Sequence, residues 1–302
     1  MSALNKALKK RFLTSLLEVE RKFVPTPALK ALVNDSPQTH PFHLATTPVS
    51  SRKILTRLTR KLVTDKYFDR KGQLESHGIW VRWRKEQVTK HDGTDAEPAQ
   101  GFWEAKVKQG GDFVDSKFIE VQGRDAVENV MDSVGVCDSI FDLKFELGFM
   151  ADRVSWDVKS VDGEQSEHDD HDATMTLIVD TMIASLEGPN GEYPKNFAHQ
   201  VGELELQKPI VSASHHPNDH PLSCTKHSQL RAAEGDKMHE QLETFMDAHP
   251  EIFTGEGKPV GKLTAYIRHR KEMAERAWKA NESGRIANMS EIKWEREING
   301  KG

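Results

Sequence analysis

The chain has 302 residues, 36% of them hydrophobic and 29% charged, and carries a formal net charge of −5. That balance argues against nucleic-acid binding by bulk charge, and no apolar run approaches the roughly 20 residues of a membrane-spanning helix. Cys137 and Cys224 supply neither a disulfide framework nor a paired metal-ligand spacing, so the expectation is a soluble protein of a reducing compartment.

The chain opens on a basic stretch without acidic side chains, with Lys6, Lys9, Lys10 and Arg11 beside Leu4, Leu8 and Phe12 at helical spacing. Residues 1–16 read as a basic extension, a pattern shared by mitochondrial presequences and ordinary basic helices. A cytoplasmic location is expected, with a mitochondrial one as the alternative. Alternation predicts a first strand over 18–24, and helical spacing predicts a helix over 27–33. A loop insertion is expected over 34–60. Further strands follow at 79–85, 102–108, 117–121, 144–150, 175–181 and 201–207, with a helix at 124–133.

Two more insertions are expected, over 158–174 and 211–226. Their histidines (His168, His171, His215, His216, His220) lack the fixed spacing of a transition-metal site and read as loop residues. Helical patterns resume at 228–248 and 262–281, and a polar tail covers 282–302. Arg268, His269, Arg270 and Lys271 read as a solvated helix face. The mixture indicates an α+β fold with an antiparallel sheet and one main domain over 17–281.

The strand charges are organised. Glu18, Glu20 and Lys22 alternate with Val19, Arg21 and Phe23; Arg82 and Arg84 flank Trp83; Glu104 and Lys106 flank Ala105; Glu203 and Glu205 flank Leu204. Each set therefore lies on one face of its strand, with neighbours about 6.5–7 Å apart. Carboxylates at this spacing suit a hard cation such as magnesium, and paired arginines suit a polyphosphate, since each guanidinium forks onto phosphate oxygens. If the charged faces point outward, Val19, Trp83, Ala105 and Leu204 build the interior. If they point into a closed barrel, those residues need cover from outside, which the helices can supply.

In order and wording these segments resemble the CYTH superfamily of triphosphate tunnel metalloenzymes, most closely its animal thiamine triphosphatases. The resemblance is carried by LEVERKF (17–23), DKYFD (65–69), WVRWR (80–84), WEAK (103–106), KFIE (117–120), RVSW (153–156), GELE (202–205) and GKLTAYIRHR (261–270). It implies an eight-stranded antiparallel barrel with helices packed outside and a triphosphate held in its lumen. It implies Glu18, Glu20, Glu120, Asp180, Glu203 and Glu205 as metal carboxylates, with Mg2+ or Mn2+ as the cofactor. Lys22, Arg82, Arg84, Lys106, Arg153 and Lys262 would grip phosphate, and Tyr67 would work with Lys106 in catalysis.

The implied activity is hydrolysis of thiamine triphosphate to the diphosphate and phosphate. The implied partner is a small triphosphate, bound by a monomer without nucleic acid or membrane. The same fold acting on tripolyphosphate or nucleoside triphosphates is an alternative, and so is a non-catalytic polyphosphate or nucleotide binder. Trp80 and Trp103 are candidates for contact with a cationic ring. Two departures stand out: Asp152 precedes Arg153 where the family is basic, and Met182 follows Asp180 where the animal enzyme has a second aspartate.

Overall fold

Strand alternation in this chain is realised as sheets with two unlike faces, one apolar and one charged. The computed structural model describes residues 15–34, 42–43, 53–88, 101–160, 173–186, 197–210 and 225–282. Its strands are β1 (Ser15–Phe23), β2 (Phe42–His43), β3 (Lys53–Asp69), β4 (Ile79–Val88), β5 (Phe102–Gly111), β6 (Asp115–Gln122), β7 (Lys144–Ser160), β8 (Thr174–Leu186) and β9 (His199–Ile210). Its helices are α1 (Pro27–Asn34), α2 (Gln73–Ser76), α3 (Arg124–Ser133), α4 (Thr225–Ala248), α5 (Pro250–Phe253) and α6 (Lys262–Glu282).

Strands β3, β4, β5, β6, β1, β9, β8 and β7 pair in that order, and β3 also pairs with β7. Every ladder is antiparallel, so the result is a closed eight-stranded barrel, with β2 added to β3. This is the architecture of a triphosphate tunnel. An eight-stranded barrel has an interior just wide enough for side chains or one small ligand.

The chain divides into two units, Met1–Gly261 with the barrel and α1–α5, and Lys262–Gly302 with α6. Within α6 the Arg270 guanidinium lies 5.9 Å from the centre of the Tyr266 ring. No helix among the described residues is long and apolar enough to cross a membrane.

The apolar faces point outward. Leu17, Val19 and Phe23 of β1 and Leu204 and Leu206 of β9 pack with Leu29 of α1, Met238, Leu242 and Phe245 of α4, and Ile252 and Phe253 of α5. On another side, Ile79, Val81, Ala105, Ile119 and Val121 pack with Leu74 of α2 and Val127, Val130 and Met131 of α3. Fully burying each such aliphatic side chain contributes about 1.5–3 kcal/mol. The helices thus cover the barrel from outside, and the charged faces are left to the lumen. Ion pairs from strands to α4 border the first of these layers: Arg21 to Glu243 at 2.8 Å, Lys208 to Glu234 at 2.9 Å, and Lys117 to Asp236.

Strand β3 departs most from expectation. Its first residues fall in the stretch expected to be a loop insertion over 34–60, which also holds β2. A bulge between Arg57 and Thr59 shifts its register against β7, and an inserted residue exchanges the two faces of a strand. Leu55 accordingly packs in the outer core, whereas Asp65, also an odd position, lies opposite Arg84 in the lumen. A strict period of two does not survive that exchange, so the segment does not register as a strand by alternation. The expected insertions at 158–174 and 211–226 also overlap structure at their ends, since β7 runs to Ser160, β8 starts at Thr174 and α4 starts at Thr225. The remainder of both insertions, their histidines, residues 1–14 and the tail after 282 lie outside the described residues.

Gly202 shows how closely the outer face is packed. It sits opposite Phe23, and a Cβ there would come within 2.3 Å of that ring. The ring in turn meets Phe253 edge-on at 4.8 Å. Gly202→Ala is expected to lower the unfolding free energy by about 1–3 kcal/mol, measured by urea denaturation. An unchanged midpoint would show that Phe23 can move aside freely.

Candidate active site in the barrel lumen

The charged faces meet in the lumen because cross-strand register places them opposite one another. Glu20 faces Glu205 and Lys22 faces Glu203 between β1 and β9. Lys106 faces Glu120, Arg82 faces both Glu104 and Tyr67, and Asp180 faces Arg153. Most of these side chains are buried: Glu18, Glu20, Asp65, Arg82, Arg84, Glu104, Glu120, Asp180, Glu203 and Glu205 are each less than 9% exposed. Charges so removed from water are tolerated only in pairs or with a bound ion.

On one side the lumen is a carboxylate cluster. One oxygen from each of Glu18, Glu20 and Glu205 lies within 4.8 Å of the others. The Lys106 ammonium donates to Glu18 and, at 3.3 Å, to Glu20, while Lys22 donates to Glu20. Gln207 donates to Glu18 at 2.9 Å.

Protonation differs across this cluster. Burial pushes the Glu18 carboxyl up, but Lys106 and hydrogen bonds with Glu120, Lys106 and Gln207 outweigh it and hold the group at about 2. Glu205 is pushed up to about 8, by burial first and then by the neighbouring Glu18 charge. Glu120 is raised as well, by burial and by the charges of Glu18 and Glu104. Three carboxylates this close, one reluctant to ionise, form a donor set for a hard divalent cation.

The rest of the lumen is built from arginines, each held by carboxylates. Arg84 forks onto Asp65, with Nε to Oδ1 at 2.7 Å and Nη2 to Oδ2 at 2.8 Å. Arg153 forks onto Asp180 in the same way, both bonds 2.8 Å, with Glu203 at 4.0 Å. Arg82 pairs with Glu104 and lies 3.4 Å from Glu120 and 3.7 Å from Asp65. The Tyr67 hydroxyl accepts from Arg82 Nη1 at 3.4 Å, and its ring lies 5.6 Å from that of Phe149.

Of the expected metal carboxylates, Glu18, Glu20 and Glu205 come together, while Glu120, Asp180 and Glu203 stand outside that cluster. Lys22, Arg82, Arg84, Lys106 and Arg153 share the barrel interior. Lys262 belongs to the second unit, where it opens α6. The expected partnership of Tyr67 with Lys106 is not formed: among the described residues Tyr67 bonds Arg82, and Lys106 bonds Glu18 and Glu20.

Both departures from the family pattern have a location. Asp152 turns to the opposite face of β7 from Arg153 and forks onto Arg60, with Nε to Oδ1 at 2.9 Å, so it leaves the lumen unchanged. Met182 is 1% exposed and lies opposite Ala151 and His199, so no oxygen ligand stands at that position.

Trp80 lines the lumen, edge-on to Phe118 at 5.8 Å, whereas Trp103 packs in the outer core. Among the described residues, Asp65 and Glu104 are buried interior carboxylates that the sequence-derived site lacks. Glu104 was visible as the partner of Lys106 on one strand face. Asp65 had only its place two residues before Tyr67 as a signal.

The closed barrel and its ionic interior together define a tunnel suited to a metal-complexed polyanion. No protein-family model and no curated protein matches this chain. Among solved structures, PH1819 from Pyrococcus horikoshii OT3 aligns at 12% identity over 83% of this chain and 99% of its own, with a TM-score of 0.40. HpAC1 from Hippeastrum, reported to have a dominant triphosphatase activity, aligns at 15% identity over 81% of this chain and 92% of its own, with a TM-score of 0.38. A chain of the Schizosaccharomyces pombe Mediator head module aligns at 12% identity over 78% and 95%, TM-score 0.36. At TM-scores this low, the reading of the site rests on the barrel's own register and charges.

Proposed function

We propose that the barrel hydrolyses the terminal phosphoanhydride bond of a magnesium-complexed triphosphate, with thiamine triphosphate as the substrate. The observation that carries this reading is the enclosure of one carboxylate cluster (Glu18, Glu20, Glu205) and three arginines (Arg82, Arg84, Arg153) in a single eight-stranded lumen. A pure anion binder has no use for three converging carboxylates beside its arginines. A pure cation binder has no use for the arginines.

The donor set fits a hard cation, and Glu18, Glu20 and Glu205 are the residues to hold it. Bound there, magnesium would neutralise charge on the phosphoryl oxygens. The chain's own residues supply the rest. Arg84 and Arg153 present guanidinium groups already oriented by their aspartates, and Lys106, between Glu18 and Glu20, joins the carboxylate side to the cationic side. Phosphoryl transfer depends chiefly on such positioning and on electrostatic stabilisation. Water attacks the terminal phosphorus, the bond to the bridging oxygen breaks, and the diphosphate leaves. Tyr67 would contact the same phosphate as Arg82. The cationic thiazolium ring would meet the aromatic lining at Trp80 and Phe118.

The test is phosphate release from thiamine triphosphate, tripolyphosphate and ATP, with and without magnesium. Magnesium-dependent turnover with preference for thiamine triphosphate is expected. Preference for tripolyphosphate or ATP would discard the thiamine assignment and keep the chemistry. A non-catalytic binder is the second reading, favoured by Met182 where the animal enzymes have an aspartate. Tight binding of all three without turnover would establish it.

A further inference from the structure

We infer that Asp65 is a positioning residue, which fixes the side edge of the Arg84 guanidinium and leaves its end edge to receive phosphate. The inference rests on the proposed triphosphate site and adds a residue to it. Asp65 is 2% exposed and stands directly across from Arg84 on the neighbouring strand. The pairing is side-on, through Nε and Nη2. Among the described residues, the carboxylates nearest the remaining guanidinium nitrogen, Nη1, are Glu104 at 3.9 Å and Glu86 at 4.0 Å. Those distances exceed hydrogen-bond reach, so its donors are left for a ligand.

Asp65 stands between an apolar wall and the cationic side of the lumen. Its opposite neighbour on β7 is Phe149, an apolar wall without donors. Its second oxygen lies 3.7 Å from Arg82, so its charge is shared between the two arginines of the W-V-R-W-R segment. The same side-on fork recurs between Asp180 and Arg153 on the adjoining strands β8 and β7, next to β3 in the barrel wall. Two arginines held alike, each by an aspartate directly across the sheet, make a repeated device. An arginine pinned along one edge loses little further side-chain freedom when it binds an anion.

The test is a double-mutant cycle read by calorimetric binding of tripolyphosphate in magnesium. Asp65→Asn keeps the volume and removes the acceptor charge. It is expected to weaken binding roughly tenfold or more in the wild-type background and to cause no further loss in an Arg84→Ala background. Unchanged binding by Asp65→Asn, or the same loss in both backgrounds, would overturn the inference. If the wild-type protein binds no tripolyphosphate, the triphosphate reading itself fails, and the inference with it.

Should Asp65→Asn not fold, the Arg84 Nε–H resonance of the wild-type protein is the second measurement, assigned by its disappearance in Arg84→Lys. The inference requires this signal to stay protected from exchange when tripolyphosphate binds. Its loss on binding would show that Asp65 releases Arg84 and does not aim it.

Discussion

Glu20→Gln is expected to reduce magnesium-dependent phosphate release by a factor on the order of 100 or more, with the barrel still folded. Glu20 lies directly opposite Glu205 and shares its oxygens with Lys22 and Lys106. The change is isosteric, so packing is kept while one of three converging carboxylates loses its charge. Lys106 keeps Glu18 as a partner, which limits the structural cost.

Turnover should be measured over a magnesium titration beside thermal unfolding with and without the ion. In the wild type, magnesium should raise the unfolding midpoint, since a ligand that binds only the folded state stabilises it. In the variant both the midpoint shift and the turnover should fall. Full activity at unchanged magnesium demand would remove Glu20 from the cation site.

Arg82→Met is expected to lower the unfolding free energy by about 3–5 kcal/mol, the usual cost of breaking a buried ion pair by removing one partner. Arg82 is 7% exposed and faces Glu104, Glu120 and Asp65 at once. A thioether of similar length keeps the volume but leaves those carboxyl groups without their common cation.

Urea denaturation at pH 7 measures the loss. Glu104→Gln should recover part of it, because one stranded charge is then absent. A loss under about 1 kcal/mol would show that the lumen behaves as a solvated surface.

The acid limb carries the same signature. Burial pushes Glu104 up, but Arg82 and then Arg84 outweigh it and hold the group at about 2. Its stabilisation is therefore complete above the unfolded value of about 4.3 and is lost as the pH falls toward the folded value. With Arg82 removed, that acid-sensitive share should shrink.

The fold was legible where strands keep strict alternation. Glu18, Glu20 and Lys22 of β1 and Glu203 and Glu205 of β9 announce a charged face, and every strand expected from the pattern is present. Which way that face points was not legible, since Val19, Ala105 and Leu204 suit an interior core as well as an outer layer. Closure of β3 onto β7 decides it, and such a contact between distant segments leaves no local trace in a single sequence.

Asp65 was obscured by the bulge at Arg57–Thr59, which breaks the period that would have placed it beside Arg84. Helix α3 matched its expected bounds because its apolar residues recur at helical spacing against a single surface. The pairing of Tyr67 with Lys106 was a matter of distance across the lumen, and there Tyr67 meets Arg82 instead.

An apolar exterior wrapped in helices also bears on how the molecule comes together. Strands with polar insides and apolar outsides have the pattern of barrels that live in lipid, and here α1, α3, α4 and α5 take the part of the lipid. The lumen gives nascent strands little reason to associate, since its charges are better solvated in an open chain. Early collapse should instead join each helix to the strands that it covers, as in α3 with β4, β5 and β6, where contacts are apolar and close in sequence. Substitutions such as Val127→Ala on the outer layer should then slow refolding, while changes to lumen charges should act mainly on unfolding. The chemistry of the tunnel would thus be assembled last, inside walls already raised from without.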